Sequence, residues 1–374
     1  MSEKTKIQHL NELTGMWSRM RGNVKALDLS ALHTTGAENM SRLFAGMYLL
    51  REIDMSTIRT DDATDLSEMF SGCWSLEVID LSGVRTTRVK RMKQMFFNCK
   101  KLRALDVSSF DTAQVETMHW MFSDCESVTE LNLAHFNTSQ VTDMELMFSG
   151  CKSLKSLDVS SFDTACVTTM WRMFEDCRAL KSLDVSSFDT ARVTKMERMF
   201  SGCASLGELD VSSFDTAHVK DMERMFDGCA SLTRLDLSSF AFMPEVDLED
   251  MFKGCKALRE VRVSDTILRT TCHVKNVKKE YPYRNYSGPL EYDEGGNPYI
   301  PGEGNSPSQA YYNRIMLDRD YCREVITYEH IPFARATDEQ RRAYLGLHRD
   351  VKLTIVPHGS RVREGFLGRI LNRK

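Results

Sequence analysis

The apolar positions of this chain keep a fixed interval. Met-Phe pairs stand at Met69-Phe70 and Met95-Phe96 and onward to Met251-Phe252. Four residues after each methionine comes a cysteine, giving Cys73, Cys99, Cys125, Cys151, Cys177, Cys203, Cys229 and Cys255 at a constant spacing of 26 residues. Leu43-Phe44 takes the same place one unit earlier, with Met47 in the cysteine phase. An uninterrupted period of this size marks an array in which each unit buries its apolar face only by stacking on its neighbours. Read from Met173, one unit is MFEDCRALKSLDVSSFDTARVTKMER. In its first half Leu180, Leu183, Val185 and Phe188 fit an L-x-x-L-x-L core, and the alternation at Leu183 and Val185 predicts a short strand. In its second half Val193, Met196, Met199, Phe200 and Cys203 recur at intervals of three and four, which predicts a one-sided helix. Thr194 with Glu197 reads as a capping box, repeated at Thr142 and Glu145, and Gly202 lies where a short helix would end.

The pattern MFxxCxxLxxLDVSSFDTxxVTxM resembles the leucine-rich repeats of BspA-like bacterial surface proteins and the related repeats of mycoplasmas and lactobacilli. The expected fold class is therefore α/β, a leucine-rich-repeat solenoid of about nine strand-turn-short-helix units. It spans residues 20–266, after an N-terminal capping region at 1–19. A Gly/Pro/Tyr-rich linker at 267–310 and a separate, small basic C-terminal module at 311–374 follow. The resemblance implies a binding scaffold and an adhesive role at host or bacterial surfaces.

Composition divides the chain at the same boundary. Of 22 Met, 21 precede residue 265, whereas 10 of 11 Tyr and 7 of 8 Pro follow it. Charge divides too: from residue 265 onward there are 18 basic and 14 acidic residues, +4 in a chain whose formal total is −4, which leaves −8 for the repeats. A near-balanced whole gives no reason to expect nucleic acid as partner. With no apolar run of membrane-spanning length, no membrane insertion is expected. The N-terminal MSEKTKIQHLNELTGMW lacks an export segment, and the alternative of a cell-surface or secreted location comes from the resemblance alone. The chain as written is expected to be cytoplasmic.

Eight phased cysteines invite a metal or redox reading, but stacked units place them in a row along the array, with no C-x-x-C pair or Cys-His cluster to converge on one ion. They are expected to form a buried, reduced cysteine ladder that fills space. The methionine column at 92, 118, 144, 170, 196 and 222 is expected to pack the same core.

One outward column of the strands stands apart: Asp28, Asp54, Asp80, Asp106, Asn132, Asp158, Asp184, Asp210, Asp236 and Arg262. Eight carboxylates at the strand-to-strand spacing repel one another and require compensation. Serines two residues on, Ser30, Ser56, Ser82, Ser108, Ser160, Ser186, Ser212, Ser238 and Ser264, supply hydroxyls beside them. Two readings stay open, a structural Asp-Ser hydrogen-bond ladder and a site for a cation or a basic partner. Asp111, Asn137, Asp163, Asp189 and Asp215 in the FDT and FNT segments read as turn residues.

In the C-terminal piece Thr337 ahead of DEQRRAYLGL predicts a helix start and VKLTIV a strand. His330, His348, Asp350, His358 and Cys322 could serve metal or acid-base chemistry, but their spacing matches no such motif. No cofactor, metal or catalytic residue is assigned. The expected function is a noncatalytic repeat scaffold for protein-protein interaction, with the eight aspartates as candidate partner-binding residues and a basic protein as the partner they suit. The alternative is an effector or enzyme whose repeats target a C-terminal active module.

Overall fold

A computed structural model describes residues 23–280 and 323–359, together with the short pieces 5–6, 291–292 and 298–299. The chain divides into two compact units, one of residues 1–271 with 332–374 and the other of 272–331. In the first unit the 26-residue period is visible in the backbone. Short parallel strands recur: β1 (Thr5–Lys6) pairs with β2 (Leu27–Asp28), β3 (Glu52–Asp54) with β4 (Val78–Asp80), and β5 (Glu130–Leu131) with β6 (Ser156–Leu157). β7 (Arg234–Leu237) and β8 (Glu260–Ser264) continue the column in register, Asp236 opposite Arg262. A second column consists of single-residue parallel bridges that run without a break through Asn39, Asp65, Arg91, Thr117, Asp143, Thr169, Lys195, Asp221 and Asp247.

The predicted helices are absent: no residue between 23 and 264 is helical, and among the described residues the single α-helix is Asp338–Leu345. The fold is thus not a solenoid of strand-turn-short-helix leucine-rich repeats but a stack of small sheets, bridges and turns. The reason is visible in the segment VTKMERMFSGC. Its amides at Met196, Arg198, Phe200 and Gly202 bond the carbonyls of Asp221, Glu223, Met225 and Asp227 in the next unit, at 2.6–2.9 Å. The amides between them, at Met199, Ser201 and Cys203, close turns onto the residue three back. Arg198 and Gly202 sit in the left-handed region at φ 54° and 75°, which no helix allows. Consecutive three-residue turns place Val193, Met196, Met199 and Cys203 on one side just as a helix would, so apolar spacing could not tell the two apart.

Side chains lock neighbouring units together. The rings of Phe44, Phe70, Phe96, Phe122, Phe148, Phe174, Phe200, Phe226 and Phe252 stack in one buried file, with centroids 5.5–5.9 Å apart and planes within 2–9°. Buried threonines form a second tie: Thr112 Oγ1 donates to the carbonyl of Asn137 at 2.9 Å and accepts the Asn137 amide at 2.8 Å. Thr34, Thr60, Thr86 and Thr216 do the same one unit apart.

The phased cysteines are buried and free, but they do not make a ladder with one another, and no disulfide joins any of the described residues. Each Sγ donates instead to the carbonyl of the phenylalanine 29 residues earlier, from Cys73 on Phe44 to Cys255 on Phe226, at 3.0–3.3 Å. Burial pushes the thiols of Cys73, Cys151, Cys203 and Cys255 up to about 12. Since the thiolate is the reacting species, a thiol reagent at neutral pH is expected, among the described cysteines, to label the half-buried Cys166 first. The eight phased thiols should react only as the chain unfolds. Rapid native labelling of most of them, read by mass spectrometry, would contradict their burial.

After β8 come a 3-10 turn at Asp265–Arg269 and β9 (Thr271–Glu280). β9 lies beside β12 (Arg323–Pro332), and β10 (Glu291–Tyr292) pairs with β11 (Pro298–Tyr299). The chain then returns to the last repeat rather than forming a separate segment. α1 (Asp338–Leu345) opens on the Thr337–Gln340 capping box and ends at Gly346, φ 68°. Its C-terminal carbonyls, which have no partner within a helix, accept the last unit's outward amides: Asp250 N–H bonds Tyr344 O at 2.7 Å and Phe252 N–H bonds Leu345 O at 2.9 Å. The Leu248 amide donates to Tyr344 Oη at 3.0 Å. β13 (Lys352–Val356) pairs in parallel with β8, so the open strand edge is covered as well. The rest of the anticipated linker and C-terminal module lies outside the described residues. Among those residues no helix is long and apolar enough to cross a membrane.

Candidate interaction face

The aspartate column follows from strand alternation: Leu183 and Val185 are buried while Asp184 between them is exposed, and Leu209, Asp210 and Val211 repeat this. Asp54, Asp80, Asp106, Asp158, Asp184 and Asp210 are exposed, whereas Asp28 and Asp236 at the two ends are partly covered. Each carboxylate accepts the backbone N–H two residues on. Ser56, Ser82, Ser108, Ser160, Ser186, Ser212 and Ser238 donate at 2.8–2.9 Å, and Ser30 donates to Asp28 at 3.0 Å. Asn132 accepts the Ala134 amide at 3.3 Å in the same way, so an amide keeps the local turn.

Hydrogen bonds from the serine hydroxyls, then from the serine amides, hold Asp106, Asp158 and Asp184 below the usual carboxylate range. Neutral donors stabilise an anion without cancelling its charge. These serines therefore keep Asp106, Asp158 and Asp184 ionised and leave their charge facing outward. Arg262 bridges Asp236 at 3.6 Å and ends the row. Among the described residues no lysine or arginine forms a salt bridge with Asp158, Asp184 or Asp210. Elsewhere on the repeats charge is paired across units, as where Glu126 takes both Lys100 at 3.0 Å and Lys152 at 3.2 Å.

Over the middle of the column lies an open groove of about 490 Å³, whose walls include Glu130, Asn132, Ser156, Asp158, Ser182 and Asp184 and whose floor includes Leu131 and Leu157. An apolar floor with carboxylate walls suits a side chain with a hydrocarbon stem and a cationic head.

The turn aspartates behave as the sequence suggests, Asp111, Asn137, Asp163, Asp189 and Asp215 each accepting an amide two residues on at 2.9–3.1 Å. The C-terminal histidines do not converge. His348 Nδ1 lies 3.2 Å from Asp350 on the exposed surface, and His358 Nδ1 lies 3.2 Å from the Phe240 carbonyl. In the second unit, His330 packs against the ring of His273, centroids 4.7 Å apart. Cys322 lies outside the described residues.

One group escaped the sequence reading. His119 Nδ1 stands 3.1 Å from Asp143 and 3.6 Å from Glu145, and one ligand atom from each of the three lies within 4.8 Å of the others. Half-burial pushes the Asp143 carboxyl up, but bonds from His119 and from the Glu145 amide bring it below its usual range. The only hint in the sequence is that His119 and Glu145 share one phase of the repeat.

The family described as Mycoplasma protein of unknown function, DUF285, matches three overlapping stretches of the chain, residues 11–130, 64–182 and 155–266. Together they take in the whole described repeat region. This match replaces the BspA-like resemblance, and the expectation of leucine-rich-repeat adhesion goes with it. No curated protein matches the chain.

Proposed function

The chain belongs to the DUF285 family, and from that premise we propose that it is a noncatalytic scaffold whose aspartate column binds a basic segment of a protein partner. The observation that carries this reading is the outward carboxylates of Asp158, Asp184 and Asp210, which the array orients through the serine amides two residues on and which no described lysine or arginine bridges. A stack of similar rungs offers a carboxylate at most steps, which suits an extended Lys/Arg-rich segment rather than a single small ligand. The same field disfavours nucleic acid, whose phosphates it repels. Asn132 interrupts the row in the middle of the groove.

Filling that gap tests the reading. A labelled Lys/Arg-rich peptide is expected to bind the full chain by fluorescence anisotropy at low salt and to weaken as salt rises. Asn132→Asp should tighten binding about threefold to tenfold, the effect of one added charge of about 1 kcal/mol at a surface. Binding that ignores both salt and Asn132→Asp would contradict the proposal.

A further inference from the structure

We propose that His119, Asp143 and Glu145 bind a divalent transition-metal ion of the zinc or cobalt class, and that the ion ties two neighbouring repeat units together. The site uses none of the residues of the aspartate column and stands or falls independently of that reading.

The backbone fixes the three side chains before any ligand arrives. Thr117 and Asp143 form one of the single-residue parallel bridges between units. Beyond it the Met118 amide bonds the Asp143 carbonyl at 3.2 Å, and the Trp120 amide bonds the Glu145 carbonyl at 2.9 Å. His119 is thus held between two inter-unit bonds, with Met118 fully buried on the inner side and the imidazole half-buried on the outer. Its ring lies against that of Trp120, centroids 5.6 Å apart and planes inclined by 18°.

The carboxylates are anchored as well. Asp143 Oδ1 accepts the Glu145 amide at 2.9 Å, and Glu145 Oε1 accepts the hydroxyl of Thr169, in the next unit, at 2.8 Å. The other oxygens, Asp143 Oδ2 and Glu145 Oε2, stand 3.1 and 3.6 Å from His119 Nδ1, with Asp143 Oδ1 itself at 3.3 Å. Donor atoms held about 2.0–2.2 Å from one metal ion stand about 2.8–3.6 Å from each other. The spacing is therefore that of donors sharing one ion, and the outside donors to each carboxylate are the supporting bonds that orient metal ligands.

A histidine–carboxylate ion pair alone accounts for less of this. Nδ1 carries one proton at most and can donate it to one oxygen, yet two carboxylates converge on it. A protonated imidazole sets one positive charge against two negative ones, whereas a neutral imidazole, two carboxylates and a divalent cation balance. Lys93, one unit earlier in the phase of His119, attracts Asp143, but among the described residues it forms a salt bridge with neither carboxylate. The repeats supply a comparison. Asp-x-Glu recurs at Asp221-Glu223 and Asp247-Glu249, where the preceding unit presents Glu197 and Glu223 in the place of His119. Among the described residues, three such donors converge only at His119. A nitrogen in the set disfavours Ca²⁺ and Mg²⁺, which take oxygen ligands, and suits imidazole-binding ions such as Zn²⁺. An ion there adds to the coupling between adjacent units on which a repeat array depends.

The test titrates the chelator-treated full chain with Zn²⁺ and Co²⁺ by calorimetry and follows the melting temperature in parallel. Wild type should bind one equivalent that His119→Gln and Glu145→Gln each lose, a fall in affinity of at least about a hundredfold. Glu145→Gln keeps an acceptor for Thr169, so its metal-free melting temperature should stay near that of wild type. Thr169→Val, which removes only the supporting bond, should weaken the ion about tenfold. At a hundredfold excess over Kd, Zn²⁺ should raise the melting temperature of wild type by about 5 °C and leave Glu145→Gln unmoved. Ca²⁺ and Mg²⁺ should produce neither effect. No uptake by wild type would overturn the site. Equal uptake by wild type and both glutamine variants, or an equal rise in their melting temperatures, would place the ion elsewhere and overturn it too.

Discussion

Replacing Phe148 with alanine is expected to cost about 3–5 kcal/mol, the usual range for truncating a fully buried phenylalanine. The ring is fully buried and stacks between Phe122 at 5.7 Å and Phe174 at 5.6 Å. The damage should be local in kind, because each repeat is stabilised by its two neighbours. Hydrogen exchange is expected to show early loss of the Phe122 amide bond to Met147 and the Phe148 amide bond to Met173. Amides around Phe44 and Phe70 should remain protected at the same denaturant concentration. Simultaneous loss across all repeats would contradict nearest-neighbour stacking.

The second large effect is expected at the far end of the array. Gly346 has φ 68°, and a Cβ there would come within 2.8 Å of the Lys253 backbone nitrogen. Gly346→Val therefore combines a left-handed β-branched residue with a backbone clash, and α1 cannot stay seated. Undocking leaves the amides of Leu248, Asp250 and Phe252 without Tyr344 and Leu345. At about 1–3 kcal/mol for each buried group left unpaired, with the backbone strain added, the loss should exceed about 3 kcal/mol. It should appear as fast exchange of those three amides and as association of the exposed edge at high protein concentration. If the variant keeps these amides protected, the helix is not what closes the stack.

Much of this architecture is legible in the sequence, though not the identity of its elements. The unbroken 26-residue interval fixes which residues stack on which, so the phenylalanine file, the burial of the cysteines and the aspartate column follow from register alone. The turns are not legible. Arg42, Glu68, Trp120, Leu146 and Arg198 all adopt φ between 51° and 60°, and no such residue type advertises a left-handed conformation. Their apolar neighbours at three and four residues then read as a helix. Gly202, taken as a helix end, is the one left-handed position in its unit that the residue type discloses. Thr337 and VKLTIV correctly predict α1 and β13, yet their role as a cap depends on a bond between Leu248 and Tyr344, 96 residues apart. The His119 group is hidden for the same reason, since Asp143 and Glu145 reach it across a bridge between units.

The column remains the point on which the functional account turns, and the variant Asp158→Asn, Asp184→Asn, Asp210→Asn separates its two meanings. Asparagine preserves the bond to the following amide, as Asn132 does with Ala134, while removing three charges. Stability and binding to a Lys/Arg-rich peptide should be measured on the same sample of the full chain. The account predicts a melting temperature within about 4 °C of wild type and loss of most of the salt-dependent affinity. A clear fall in melting temperature with affinity and salt dependence unchanged would show the aspartates to be a structural ladder only.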